Sequence, residues 1–297
     1  MSNQSLWNKD FLLDTGINFV VYLIYYLLMV IIAVVAKDQL HASLGEAGLA
    51  SGIFIVGTLL ARLQFGKAIE LYGRRMSLYG GIIFYFVTTL LYFYIPNLAI
   101  LYVIRFLNGM AYGIVSTATN TIVASCIPPE KRGQGINYYG LSTSLAAAVG
   151  PFLGMLLIVI TNFTFIITLC AVLVGLCMIG CIILHINEIE LTSEQIAKMK
   201  AMTLDNYVEY RVMVISIIGF FMGFAYSSVL TFLAAYAREI NLVEAGTFFF
   251  VVYAVVITLT RPLTGIIFDR KGENYVLYPC YICLAIGLFL LSITGTS

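Results

Sequence analysis

Charge is what this sequence has least of: 10% of its 297 residues are Asp, Glu, Lys or Arg, while 61% are hydrophobic. Soluble domains carry about a quarter charged residues, so no water-soluble core would absorb this much apolar surface, and a bilayer has to be the solvent. The net charge is only +1, with the basic residues scattered through short loops instead of an arm or stripe, which excludes nucleic acid as a ligand. Histidine is almost missing. His41 and His185 stand far apart without ligand-like neighbours, and no zinc signature, phosphate loop or catalytic triad is present, so the chain reads as no enzyme and calls for no cofactor or metal. Cys126, Cys170, Cys177, Cys181, Cys280 and Cys283 all fall in or at the ends of apolar segments, which excludes a disulfide framework. Cys280 and Cys283 have redox spacing but lie in an apolar helix, where packing is the better reading. No small-residue cleavage pattern follows Lys9 and Asp10, so the first apolar run reads as an uncleaved helix and not a signal peptide.

What is there is a succession of apolar runs. Stretches near 15–36, 47–69, 77–95, 98–126, 136–160, 163–186, 212–236, 245–268 and 275–294 are each long enough to cross a bilayer, which takes roughly 20 residues. Their continuous Leu, Ile, Val, Phe and Tyr content lacks the period-two alternation of a membrane barrel. An all-α membrane protein of nine spans is expected. Lys9, Lys67, Arg74, Arg75, Lys131, Arg132, Lys198, Lys200, Arg211, Arg270 and Lys271 fall on one set of alternate loops, and only Lys37 and Arg238 on the other, which puts the N-terminus in the cytoplasm. The long polar stretch, rich in Glu188, Glu190, Glu194, Lys198 and Lys200, divides the chain. The expected parts are a six-helix bundle over 1–186, a cytoplasmic linker over 187–210 and a three-helix part over 211–297.

The two sides of that linker repeat one another. Arg62, Gly66, Glu70 and Gly73 recur as Arg261, Gly265, Asp269 and Gly272 at identical spacing, and Glu46-Ala47-Gly48 recurs as Glu244-Ala245-Gly246. Parallel repeats of this kind place a substrate site between the halves of a transporter. Gly66 to Arg75 resembles motif A of the major facilitator superfamily, and Gly265 to Gly272 its echo. Arg105, Asn108, Gly109 and Gly113 are similar to motif B, and Gly150, Pro151 and Gly154 to motif C of the drug:proton antiporter branch. Glu70 for the usual Asp, Leu63 opposite Pro262, Ala146 for Gly and Met155 for the second Gly of motif C depart from the pattern.

The resemblance implies a 6 + 6 fold, of which 6 + 3 helices are present, so the segment reads as C-terminally incomplete. It also implies a gate built from Arg62, Gly66, Glu70, Gly73, Arg74 and Arg75 at the cytoplasmic edge, with the acid meeting the positive end of a neighbouring helix and the arginines hydrated. Arg261, Gly265, Asp269 and Gly272 would form its counterpart, with Asp269 near the start of helix five.

Arg105 lies inside a span, where a cation costs a few kcal/mol unless it faces a cavity, a partner or the interface. Two readings stand: a functional charge on the transport path, or a structural charge bonded to carbonyls. Asn108, Tyr112, Ser116 and Asn120 follow at helical spacing as one polar stripe. Asn18, Tyr22 and Tyr26 on helix one, with Tyr226, Ser227 and Ser228 on helix seven, would line a pocket for apolar or aromatic solutes, although packing explains tyrosines nearly as well. Pro151 would kink or soften helix five beside Gly150 and Gly154.

The resemblance implies a monomeric exporter in a bacterial cell membrane, which takes a small-molecule substrate and is driven by protons. Coupling needs an acid in the path, yet the carboxylates lie near span ends; Asp14 qualifies if helix one is deeper than the apolar run. An uptake facilitator or symporter for sugars or metabolites is the alternative. A transport-inactive paralogue is expected if the chain ends naturally at Ser297.

Overall fold

The computed structural model describes residues 6–188, 210–239 and 243–293, and among them the chain is helical, with no strand. The long helices are α1 (Lys9–Leu40), α2 (Leu44–Tyr72), α3 (Arg74–Leu90), α4 (Leu98–Cys126), α5 (Arg132–Ile160), α6 (Phe163–Ile183), α7 (Met213–Glu239), α8 (Val243–Lys271) and α9 (Asn274–Ile293). Seven stretches among the described residues are long and apolar enough to cross a membrane. Most of the linker expected at 187–210, with Glu190, Glu194, Lys198 and Lys200, and the side chains of Ser227, Ser228, Glu244 and Met155, lie outside the described residues.

Local chemistry sets the helix starts. Asn8, Asn97 and Asn162 each accept the backbone N–H three residues on, at 2.8, 3.0 and 2.8 Å, and so satisfy one of the four donors that every helix start leaves unpaired. Ser43 and Glu46 form a reciprocal capping box at α2. The cap at Asn8 places the start of α1 at Lys9, six residues ahead of the apolar run that begins at 15. Its 32 residues extend for about 48 Å at roughly 1.5 Å per residue, well beyond a ~30 Å hydrocarbon core.

The chain divides into two compact units, Met1–Ile196 and Ala197–Ser297. In the first, α2 packs along α4 and α1 along α5, while α3 bridges α4 and α6. In the second, α7 packs on α8 and α8 on α9. Lipid tails are as apolar as Leu, so close backbone approach and polar contacts hold such helices together instead of a hydrophobic drive. The α2–α4 seam is closed by glycine. A Cβ at Gly109 would strike the Phe54 backbone, and one at Gly113 would come within 2.9 Å of the Thr58 carbonyl. Thr58 Oγ1 donates across the same seam to the Gly109 carbonyl at 3.0 Å.

Candidate functional site

The polar stripe of α4 is the centre of a buried network in the first unit. Arg105 is 0% exposed. Its Nε donates to the Ala50 carbonyl of α2 at 3.0 Å and its Nη1 to Tyr92 Oη at 3.3 Å, while the guanidinium carbon stands 4.5 Å from the centre of the Phe54 ring. Tyr92 Oη in turn donates to Asn108 Oδ1 at 3.4 Å, and Asn108 Nδ2 donates to Thr88 Oγ1 of α3 at 3.0 Å. A buried cation is tolerable only when its donors are used and its charge compensated. Carbonyl, phenol and ring face do this here, and Nη2 alone has no hydrogen-bond partner. Ser116 accepts from Arg62 Nη2 of α2 at 3.3 Å, and Asn120, the last of the stripe, is exposed.

Above this network the rings of α1, α2 and α4 meet. Tyr112 lies 5.3 Å from Tyr22, 5.0 Å from Tyr25 and 5.3 Å from Phe54, and Tyr25 stacks on Phe54 at 5.0 Å. Such offset ring pairs are each worth about 0.5–1.5 kcal/mol beyond burial. Tyr22 and Tyr112 were legible from helical spacing. Tyr25 and Phe54 were not, because an aromatic residue within an apolar run carries no signal that separates it from its neighbours. The Tyr26 ring also meets Tyr25, with centres 4.6 Å apart, while its Cβ faces Gly150 of α5.

The α2–α3 turn departs from expectation. Gly73 at φ 91° ends α2 and precedes α3, a conformation that favours glycine. Glu70 pairs with Arg74 within the turn, Oε1 to Nη2 at 2.7 Å and to Nε at 3.1 Å. Arg74 is 7% exposed instead of hydrated. The acid at the positive end of a helix is Glu188, whose two oxygens accept the backbone N–H groups of Arg74 and Arg75 at 2.9 and 2.8 Å. Arg75 donates to Tyr79 Oη at 3.2 Å, and Gly66 is exposed with open space where a Cβ would stand.

Along the α1–α5 seam, a Cβ at Gly150 would come within 2.6 Å of Tyr26 Cβ, and one at Gly154 within 2.9 Å of the Leu27 carbonyl. The helix runs on through Pro151. Asn18 Nδ2 donates to Ser142 Oγ at 3.0 Å and to Thr143 Oγ1 at 3.2 Å, which fixes the register of the two helices. One turn before it, Asp14 is 0% exposed. The earlier start of α1 moves this carboxylate from a span end into the packed bundle.

In the second unit, Arg261 is partly buried near Tyr226 and Tyr253, whose hydroxyls bond one another. Tyr226, Phe249, Tyr253, Cys283 and Gly287 border a cavity of about 240 Å³. Gly265 is buried, Asp269 is partly exposed, and Gly272 at φ 87° ends α8 as Gly73 ends α2.

Apolar spanning helices, closed by glycine and threaded by a buried polar network, define a multi-pass membrane protein. The family model of the Major Facilitator Superfamily matches residues 15–297, and the chain belongs to that superfamily of transporters; it is not an enzyme. It is 20% identical to an uncharacterized MFS-type transporter of Methanocaldococcus jannaschii over 98% of this chain and 74% of that protein. It is 27% identical to the multi-drug resistance efflux pump PmrA of Streptococcus pneumoniae over 67% of this chain, and so spans half the length of that relative. A hexose transporter of Saccharomyces cerevisiae is 31% identical over 37% of this chain and 19% of its own length.

Proposed function

We propose that the chain serves proton-driven export of small organic molecules by alternating access in a bacterial cell membrane, with its N-terminus in the cytoplasm. The observation that carries this reading is the α1–α5 seam: Gly150 and Gly154 meet Tyr26 and Leu27 so closely that no larger residue fits, on the segment that resembles the antiporter motif. A relative named as a multidrug efflux pump supports the same direction.

The path residues are Arg105, Asn108, Tyr112, Ser116, Asn18, Tyr22 and Tyr26 of the first unit and Tyr226 of the second. Arg62, Gly66, Glu70, Gly73, Arg74 and Arg75 form a cytoplasmic gate, with Arg261, Gly265, Asp269 and Gly272 its counterpart. The parts are a bundle over 1–186, a linker over 187–210 and the helices over 211–297, acting as a monomer. A hydrophobic, aromatic wall suits apolar or aromatic solutes.

Sugar or metabolite uptake is the second reading, favoured by the match to a hexose transporter. Growth of an efflux-deficient strain overexpressing the protein separates the two. Raised tolerance to a set of apolar organic toxicants is expected. Faster growth on a limiting sugar with no change in tolerance would favour uptake.

A further inference from the structure

Arg62 of α2, Arg105 of α4 and Arg261 of α8 stand inside the spans, and none of them has a carboxylate partner among the described residues. The ion pair at the α2–α3 turn, Glu70 with Arg74, engages none of them. Arg105 keeps its full charge, because the Ala50 carbonyl, the Tyr92 hydroxyl and the Phe54 ring are all neutral. A cation without a counter-ion in a low-dielectric bundle is costly, and it draws anions strongly.

The tyrosine face lies between two of these charges. On one side Arg105 stands against Phe54, whose ring meets Tyr25 at 5.0 Å and Tyr112 at 5.3 Å. On the other, Arg62 Nη2 donates to Ser116 Oγ at 3.3 Å, one helical turn beyond Tyr112 on the same face of α4. Arg62 is close enough to Tyr25 and Tyr112 to act on both electrostatically, and Arg105 acts likewise on Tyr25. Access separates the two charges: Arg105, Phe54 and Tyr112 are buried, Tyr22 and Tyr25 are partly exposed, and Arg62 is exposed. A solute therefore touches the Tyr22 and Tyr25 rings and the Arg62 guanidinium, and meets Arg105 only through its field.

Asp14 is the acid nearest these rings in the sequence of α1, two turns before Tyr22. It is buried, neither of its oxygens is hydrogen-bonded, and it acts on Tyr139, Cys126 and Cys181 and pairs with neither arginine. Within the second unit the same pairing recurs. Arg261 is partly buried and acts on Tyr226 and Tyr253, whose rings border the apolar cavity of that unit.

We infer that the solute is an aromatic carboxylate, with its ring on the Tyr22–Tyr25 face and its carboxylate received by the Arg62 guanidinium. The inference deepens the exporter reading and takes from it only that this face lies on the path; preference for the anion is independent of the direction of transport and of its energy source. Ser116 is one acceptor for a group with five N–H donors, and the planar guanidinium fork matches a carboxylate through two parallel bonds. The rings supply offset and edge contacts for an aromatic body. An organic cation on the same face would meet two like charges.

The test compares 2-naphthoate, 2-naphthylmethanol and 2-naphthylmethylammonium, which share one ring system and differ in charge. Binding of each to the purified full chain in detergent is measured by equilibrium dialysis, with protein-free micelles as the blank. Naphthoate is expected to bind saturably and about tenfold or more tighter than the alcohol, with the ammonium weakest. Arg62→Gln should weaken naphthoate about tenfold or more while leaving the alcohol within about twofold. Arg62→Lys keeps the charge without the fork and should recover part of that loss. Tyr25→Leu should weaken naphthoate and alcohol alike, which separates the ring contact from the charge. Arg62 is exposed, so its Gln and Lys variants are expected to melt with wild type.

Ammonium bound as tightly as naphthoate, or naphthoate affinity unchanged in Arg62→Gln, would overturn the inference. In proteoliposomes, naphthoate that binds but is not moved would leave the site standing and refute the exporter reading. Export of the neutral alcohol without saturable naphthoate binding would do the reverse.

Discussion

The carboxylate of Glu188, just past the end of α6, accepts the backbone N–H of Arg74 at 2.9 Å, so a residue 114 positions away caps the start of α3. Gly73 supplies no side-chain cap there. An anion on a helix N-terminus meets both unpaired donors and the positive end of the dipole, worth about 1 kcal/mol at a half-exposed site.

Glu188→Gln keeps the acceptor and loses the charge; Glu188→Ala loses both. The expected order of thermal stability in detergent is wild type, then Gln, then Ala, with the Ala variant about 1 kcal/mol below wild type and its Tm down by roughly 2–4 °C. Equal Tm values across the three would show that the contact contributes nothing.

Gly66 and Gly109 should part company. A Cβ at Gly109 meets the Phe54 backbone, which cannot rotate away, whereas a Cβ at Gly66 meets open space. Gly109→Ala is expected to cost about 1–3 kcal/mol by overpacking. Gly66→Ala should be within about 0.5 kcal/mol of wild type. If Gly66 belongs to the gate, its alanine variant should lose transport while keeping that stability. Unfolding curves and flux measured on the same preparations check both.

Arg105 admits a similar separation. Arg105→Lys keeps the charge but cannot form the fork that reaches both the Ala50 carbonyl and Tyr92 over the Phe54 ring. Arg105→Lys is expected to fold with a loss of about 1–3 kcal/mol, since one partner of a buried polar network is left unsatisfied. A charge on the path predicts that Lys preserves part of the flux and Gln none at similar stability. Equal flux in both variants would make Arg105 structural alone.

The helices were legible because apolar length survives any tertiary context, and the repeat because Arg, Gly and acid recur at fixed spacing. The start of α1 was missed, since Lys9, Asp10 and Asp14 interrupt the apolar run while Asn8 caps the helix regardless. That error hid the burial of Asp14. Glu188 was equally hidden: nothing near it in sequence marks it as the cap of a distant helix. Arg105 was found from its cost in a membrane, yet its partners Ala50, Tyr92 and Phe54 come from other helices and carry no pattern of their own.

Replacing Asp14 by Leu should raise thermal stability or leave it unchanged, because an unpaired buried carboxylate gives way to an apolar side chain among apolar neighbours. A fall in Tm of several degrees would mean that the carboxylate has a stabilising partner in the folded protein.

An exporter of this kind moves an organic solute at the expense of a proton gradient. Proteoliposomes containing the purified protein, loaded with a fluorescent hydrophobic solute and given an imposed pH gradient, test it directly. Solute flux that reverses direction when the gradient is reversed, and that vanishes with a protonophore, is the expected result. Flux equal to that of protein-free liposomes under either gradient would contradict the account.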